Sequence, residues 1–246
     1  VGFGYMAILQ AVGFLFGQGS GSNISRALGQ QDKKLANQYA STGFVLSFVF
    51  GIIVSVLSLC FMKRLISFLG STETIYPYAK TYLTYIILSA PFITSSFTMN
   101  NIMRFEGKAN LGMIGMLAGA FLNIGGDALF IFAFKMGIAG AGLSTALAQI
   151  ITFIILISQF AMHRTQTSIS PKLITAEYSK IMNIFGTGFP SLIRQSLGSI
   201  CTIVLNGQAA VYGDEAIAAM SIVSRTGFFV MSLAIGIGQG YQPVCG

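Results

Sequence analysis

The sequence predicts an all-α integral membrane protein, a polytopic helix bundle made of two related lobes. The first observation is composition: hydrophobic residues make up 54% of the 246 residues, charged residues only 9%, and the mean hydropathy is +0.74. Soluble domains carry about 25% charged residues, so this chain has too few charges to cover a surface in water. The second observation is a series of long apolar runs, and the third is an internal repeat.

Seven apolar runs are long enough to cross a bilayer as helices, which takes about 20 residues each. They are too long for strands and lack alternation of polar and apolar residues, and helices satisfy their own backbone hydrogen bonds in lipid. The predicted spans are residues 2–24, 38–61, 78–102, 110–134, 138–162, 183–210 and 217–241. The chain starts at Val1 and stops at Gly246, just after an apolar run, so we expect a piece of a longer protein.

The distribution of Lys and Arg predicts the orientation. The odd-numbered connections carry eight of these residues and the even-numbered connections carry four. Because cytoplasmic loops are enriched in Lys and Arg, the long connection around 163–180 is expected in the cytoplasm. The expected location is therefore the cell membrane (plasma or inner), as a multi-pass protein in contact with lipid.

The internal repeat supports two parallel lobes. FGQGSGSNI (Phe16–Ile24) resembles IGIGQGYQP (Ile235–Pro243), with three glycines in register at an offset of 219 residues. Both segments end an apolar span, and the six steps between those spans restore the same direction through the membrane. The copies are therefore expected to be related by an axis along the membrane normal. The predicted division is a first lobe at 1–165, a connection at 166–181 and the start of a second lobe at 182–246.

Asp127 is the strongest candidate for a functional residue. It lies well inside the fourth predicted span, in NIGGDALFIF, and is the one acidic residue that we place deep in any span. An ionised Asp at the bilayer centre costs about 2.5–3.5 kcal/mol, so such residues face a bundle interior or a wet cavity. A carboxyl that exchanges a proton or holds Na⁺ suits a coupled transporter. The alternative is a structural, hydrogen-bonded Asp next to Gly125 and Gly126.

Other polar residues inside the spans form a wider set of candidates. Asn123 lies one helical turn before Asp127 on the same face, and Thr145, in LSTALAQ, is placed to meet both across a short hairpin. Amides and hydroxyls also serve as ordinary hydrogen-bonding groups between helices. The remaining candidates are Asn101 at the end of the third span, Asn206 in the sixth and Arg225 in the seventh.

Several function classes lack their motifs in this sequence. It contains no HExxH or P-loop motif and no CxxC pairing among its three cysteines, and its single histidine, His163, falls in a loop. We therefore expect neither an enzyme nor an ATP-driven pump, no cofactor, and no metal site apart from Na⁺ at Asp127. The basic residues lie between apolar runs without interleaved aromatics, so no nucleic-acid partner is expected.

Three stretches together resemble the multidrug and toxic compound extrusion (MATE) family. They are GQGSGSNISRALGQQDKKLA (Gly17–Ala36), MRFEGKANLGMIGMLAGAFLNIGGDALFIF (Met103–Phe132), and GFPSLIRQSLGSI together with IGIGQGYQP. The resemblance covers nearly the whole chain and implies helices two to eight of a twelve-helix, two-lobe transporter. It implies that Asn123 and Asp127 match a cation-coupling pair on helix five. Thr145 matches a hydroxyl on helix six, and Asn101 an amide on helix four.

The implied function is a secondary active antiporter that exports organic cations or drugs by alternating access. H⁺ or Na⁺ is the coupling ion, and the full-length protein is expected to be a monomer. The alternative within the same superfamily is a lipid-linked precursor flippase, which tends to line its cavity with several basic residues; here Arg194 and Arg225 are the candidates. A retinal protein would need a Schiff-base lysine, which the seventh span lacks, and an intramembrane enzyme lacks its motifs.

Overall fold

The computed structural model describes residues 2–68, 76–175, 177–210, 223, 226–227, 229–238 and 240–241. This part of the chain is helical and contains no strand. Its helices are α1 (Gly2–Gly29), α2 (Lys33–Cys60), α3 (Met62–Phe68), α4 (Tyr76–Phe105), α5 (Ala109–Asp127), α6 (Gly137–Ala161) and α7 (Tyr178–Ala210). Helix α5 continues directly as a π-helix at Ala128–Ala133, and a short 3₁₀ turn spans Pro171–Leu173.

The predicted all-α membrane bundle is confirmed. Within the described ranges, four helices are long and apolar enough to cross a membrane: α2, α4, α6, and α5 together with its π-helical extension. Helices α1 and α7, with 28 and 33 residues, also exceed the roughly 20 residues that a crossing needs. The first six predicted spans thus each overlap a long helix, whereas the seventh, 217–241, is described only in part and contains a helix at Phe229–Gly238.

Helix α1 extends five residues beyond its predicted end and includes the whole glycine-rich segment. Three glycines spaced by four residues, Gly13, Gly17 and Gly21, face α4, where they lie against Phe97, Asn101 and Phe105. The two helices run parallel, and small residues at this spacing let helix backbones approach closely in a membrane. This packing outweighs the intrinsic cost of glycine in a helix, about 1 kcal/mol per residue.

Helix α2 also begins five residues earlier than predicted, at Lys33, because Asp32 caps its N-terminus. The Asp32 carboxylate accepts a hydrogen bond from the Leu35 amide at 2.9 Å. Asp is a favoured N-cap residue because its side chain satisfies an amide that the first turn leaves free. Lys33 and Lys34 are therefore helical.

Two hydrophobic clusters stabilise the bundle, and α1 and α4 contribute to both. One lies near the end that carries the 106–108 and 162–177 connections, which we call the linker end, and contains Phe16, Met99 and Phe160. The other lies near the opposite end and contains Tyr5 and Leu83. Helix α5 is peripheral, and its large side chains point outward, as expected for a lipid-facing helix.

Candidate functional site

A polar cluster joins α5 and α6 in the half of the bundle away from the linker end. The Asn123 amide donates to the Ser144 and Thr145 hydroxyl oxygens, both at 3.3 Å. The Ser144 hydroxyl donates back to the Asn123 carbonyl at 3.0 Å, and the Thr145 hydroxyl donates to the Ala141 carbonyl at 2.9 Å. These bonds fix the Asn123 side chain and leave its carbonyl oxygen Oδ1 as an acceptor.

Asp127 lies one turn beyond Asn123, at the junction of α5 with the π-helix. Its Oδ1 atom is buried and has no hydrogen-bond partner among the described residues. Gly126, its neighbour, lies directly against the Ser144 side chain, so the two helices meet closely at this level. A buried carboxylate oxygen without a donor is expensive. Oδ1 therefore remains available as an acceptor.

The surroundings of this cluster are apolar. A groove of about 430 Å³ runs along α5 and α6, and its lining includes Gly126, Leu129, Phe130 and Ser144. Electrostatic interactions are stronger in such low-dielectric surroundings than in water. Hydroxyl, amide and carboxylate oxygens are the donors that a hard cation prefers. No group of three or more His, Cys, Asp or Glu residues that could hold a metal ion occurs in the described part of the chain.

Asn101 does not join this cluster. It is fully buried against Gly17, its amide donates to the Phe97 carbonyl at 2.7 Å, and its oxygen accepts from Arg104 at 2.9 Å. Its neighbour Asn100 lies against Gly112 at the start of α5. Gly112 and Asp127 are about 22 Å apart along α5, because an α-helix rises 1.5 Å per residue. In this structure Asn101 thus lies apart from Asp127 and supports the α1–α4 contact, and its part in cation coupling stays a prediction.

The two secondary candidates, Asn206 and Arg225, lie outside the residues whose side chains the structure describes. Two other polar residues contribute to the geometry but were not candidates in the sequence. Ser144 precedes Thr145 in the same motif, and helical spacing alone does not decide which of two adjacent hydroxyls faces α5. Glu106 follows α4 in a connection of three residues, where an acidic side chain is expected in solvent.

Glu106 is instead almost completely buried, with only 3% of its surface exposed. Burial raises the pKa of its carboxyl above the usual range, and hydrogen bonds from Thr167 and Gln166 and the charge of Lys108 oppose that increase. A raised pKa means that the folded state favours the neutral form. The contribution of Glu106 to the free energy of unfolding is therefore complete below the ordinary carboxyl pKa, and it is lost as the pH rises through the raised pKa.

We expect Glu106→Gln to remove this part of the pH dependence. The wild-type chain should lose thermal stability as the pH rises above the usual carboxyl range, and the variant should lose less over the same interval. Thermal unfolding of both proteins in detergent, measured at several pH values, tests this. Parallel pH profiles would contradict it.

Helix α7 packs against α1 through a seam of glycines and polar pairs in the linker-end half. Gly19 lies against the Ile184 carbonyl and Gly188 against the Leu15 carbonyl, so closely that a Cβ atom at either glycine would overlap backbone. Polar bonds flank this crossing: the Ser191 hydroxyl donates to the Gln18 side-chain oxygen Oε1 at 2.7 Å, and the Asn23 side-chain amide donates to the Thr187 hydroxyl oxygen at 3.0 Å. The contact between α1 and α7 is therefore close and combines glycine packing with hydrogen bonds.

The chain is similar to known membrane transporters. A family model described as MatE matches residues 1–129. The multidrug export protein MepA of Staphylococcus aureus strain N315 is 33% identical over 244 residues, which cover 97% of this chain and 53% of that protein. MepA of Staphylococcus saprophyticus is 32% identical with the same coverage. The chain therefore spans about half the length of the curated relatives it matches.

Solved structures agree with these relatives. An outward-facing structure of a multidrug resistance MATE family transporter has a TM-score of 0.89 at 26% identity and covers 98% of this chain and 53% of that one. An inward-facing structure of such a transporter has a TM-score of 0.76 at 28% identity over 87% of this chain and 49% of that one. The family-model match, the relatives and the solved structures together show that this chain belongs to the MatE family of multidrug and toxic compound extrusion transporters.

Proposed function

We propose that this chain forms the ion-coupling part of a secondary active antiporter that exports organic cations across the cell membrane. The observation that carries the proposal is the buried Oδ1 of Asp127, which has no partner among the described residues and lies one helical turn beyond Asn123 of the α5–α6 cluster. The curated relatives named multidrug export proteins support the substrate class. The same relatives give no support to the lipid-linked precursor flippase.

The coupling step takes place at Asp127. When Asp127 is ionised its carboxylate is negatively charged, and its buried Oδ1 has no hydrogen-bond donor among the described residues. Binding of H⁺ or Na⁺ neutralises that charge, and Na⁺ would also draw in the oxygens of Asn123 and Thr145. Because Asn123 is bonded across to α6, a change at Asp127 alters how α5 and α6 pack. An intramembrane carboxylate of this kind is the usual element of ion-coupled transport.

Alternating access requires a contact that closes one side of the membrane and releases on the other. The α1–α7 seam supplies such a contact at the linker end, which the distribution of Lys and Arg assigns to the cytoplasm. The greater similarity to the outward-facing structure agrees with a state that is closed on this side. Ion binding at Asp127 and opening of the seam are then two parts of one cycle in which the lobes rock about a central site.

The test is efflux of a fluorescent organic cation from proteoliposomes that hold a full-length protein carrying this sequence. A pH gradient or a Na⁺ gradient is imposed separately, with collapsed gradients as the control. Efflux driven by one gradient supports the antiporter and identifies its ion. Absence of efflux under both gradients, in vesicles with intact gradients and inserted protein, would refute the proposal.

A further inference from the structure

The connection between α6 and α7 is bound along its length to the helices that precede it. Residues 165–175 contain no α-helix or strand, yet Thr167 is only 3% exposed and the backbone donates repeatedly to neighbouring side chains. A connection without helix or strand ordinarily stays at the surface and moves more than the elements it joins. Here specific side chains hold it against the linker end of the bundle.

Glu106 makes the most concentrated set of these contacts. One carboxyl oxygen accepts a hydrogen bond from the Gln166 backbone amide at 2.8 Å, and the other accepts from the Thr167 hydroxyl. The Gln166 side chain in turn donates to the Glu106 carbonyl at 2.7 Å. The neighbouring Phe105 carbonyl accepts from Ser25 of α1 at 2.8 Å. The loop after α4 is thus joined both to the connection and to α1.

One face of α2 continues the same attachment. Side-chain oxygens of Asn37, Ser41 and Thr42 accept hydrogen bonds from three backbone amides of the connection at 2.9, 3.1 and 3.2 Å. Each of these bonds satisfies a backbone amide, so the contact with α2 does not depend on the side chains of the connection. The donors are the amides of Ser168, Ser170 and Thr175.

The attachment leads into α7. Lys180, in the first turn of α7, donates to Gln38 of α2 at 2.9 Å and also pairs with Glu177 at 2.8 Å. A few residues later α7 enters the seam with α1. The docked connection therefore fixes the start of α7 relative to α1. This attachment precedes, along the chain, the residues of α7 that contact the glycines of α1.

We infer that Glu106 is a positioning residue that docks the inter-lobe connection onto the first lobe and so sets the register in which α7 closes against α1. This inference rests on the proposed function for its role in transport, although the docking itself does not. When Glu106 is replaced by Gln, the amide oxygen can still accept from Gln166 and the amide nitrogen can donate to the Thr167 hydroxyl. Replacement by Ala leaves both connection groups without their partner.

The first test measures the connection itself in the membrane-embedded chain. Arg164 and Lys172 are exposed trypsin sites at its two ends, and cleavage within a docked segment requires the segment to detach. Glu106→Ala should speed cleavage at Lys172 roughly tenfold, the effect of losing about one buried hydrogen bond. Glu106→Gln should keep the wild-type rate. Equal rates in all three proteins would overturn the inference.

A second variant guards against loss of folding in Glu106→Ala. Thr167→Val removes the hydroxyl that Glu106 binds while keeping the shape of the side chain, and it lies on the connection itself. If the two groups act together, the double variant should cleave no faster than Glu106→Ala alone. If the two substitutions instead multiply each other's effect on the cleavage rate, Glu106 acts through a contact other than Thr167, and the inference would fail.

The last measurement separates this inference from the proposed function. Rates of dye efflux are compared among full-length proteins with the wild-type, Glu106→Gln and Glu106→Ala sequences. The same ion gradient is imposed on all three. Slower efflux in Glu106→Ala, rescued in Glu106→Gln, supports the positioning role, and unchanged efflux in both overturns it. If the wild type transports nothing, the antiporter proposal fails while the cleavage result still decides the docking.

Discussion

Replacement of Asp127 by Asn should reduce gradient-driven efflux at least on the order of tenfold while leaving membrane insertion intact. Asn has the same shape but cannot exchange a proton and carries no charge to hold Na⁺. A difference of about 1.4 kcal/mol in the free energy of ion binding between the two access states changes their equilibrium tenfold. Typical coupling energies between sites are about 1–3 kcal/mol. The measurement is dye efflux from proteoliposomes, normalised to the amount of inserted protein.

Asp32→Asn is the matched control for this experiment. It removes the same negative charge, but at the exposed N-cap of α2, where Asn is an equally favoured capping residue. Its efflux should equal that of the wild type. Normal gradient-driven efflux by Asp127→Asn would remove Asp127 from the coupling mechanism.

Replacement of Gly188 by Ala should separate α1 from α7 and weaken the closed state of the seam. The added methyl group would overlap the Leu15 carbonyl, and the two backbones would have to part by about 1–2 Å to reach normal contact distance. Overpacking of this kind costs about 1–3 kcal/mol, which corresponds to a roughly 5- to 150-fold smaller closed population. Gly188→Ala should therefore favour a protein open at the linker end.

Gly186→Ala is the matched control, because it adds the same methyl group two residues earlier on the same helix, at a position where nothing lies within 4 Å. Closure is measured by disulfide formation between Gln18→Cys and Ser191→Cys, whose native side chains are hydrogen-bonded at 2.7 Å. The native cysteines are first replaced by Ser. Cross-linking should fall in Gly188→Ala and persist in Gly186→Ala; equal yields would contradict a seam limited by glycine contact.

The sequence determined the fold class and most helices because lipid imposes a simple requirement. Apolar runs of sufficient length must be helical to satisfy their backbone, so the first six spans followed from hydropathy alone. The helix ends were less predictable. α1 continues through its glycines because they face α4 and α7, and α2 begins at Lys33 because Asp32 caps it. Hydropathy detects neither interhelical packing nor capping.

The candidate site was predictable where it depends on spacing within one helix, and where a short hairpin brings Thr145 of α6 against Asn123 of α5. Asn123 and Asp127 share a face of α5 because four residues make about one turn, and a polar residue inside an apolar span is visible in the sequence. The tertiary structure decided the rest. It placed Ser144 opposite Asn123, moved Asn101 to the α1–α4 contact near the other end of α5, and buried Glu106 beneath the connection. Those placements depend on which residues of separate helices lie at the same height, and helix packing alone determines that.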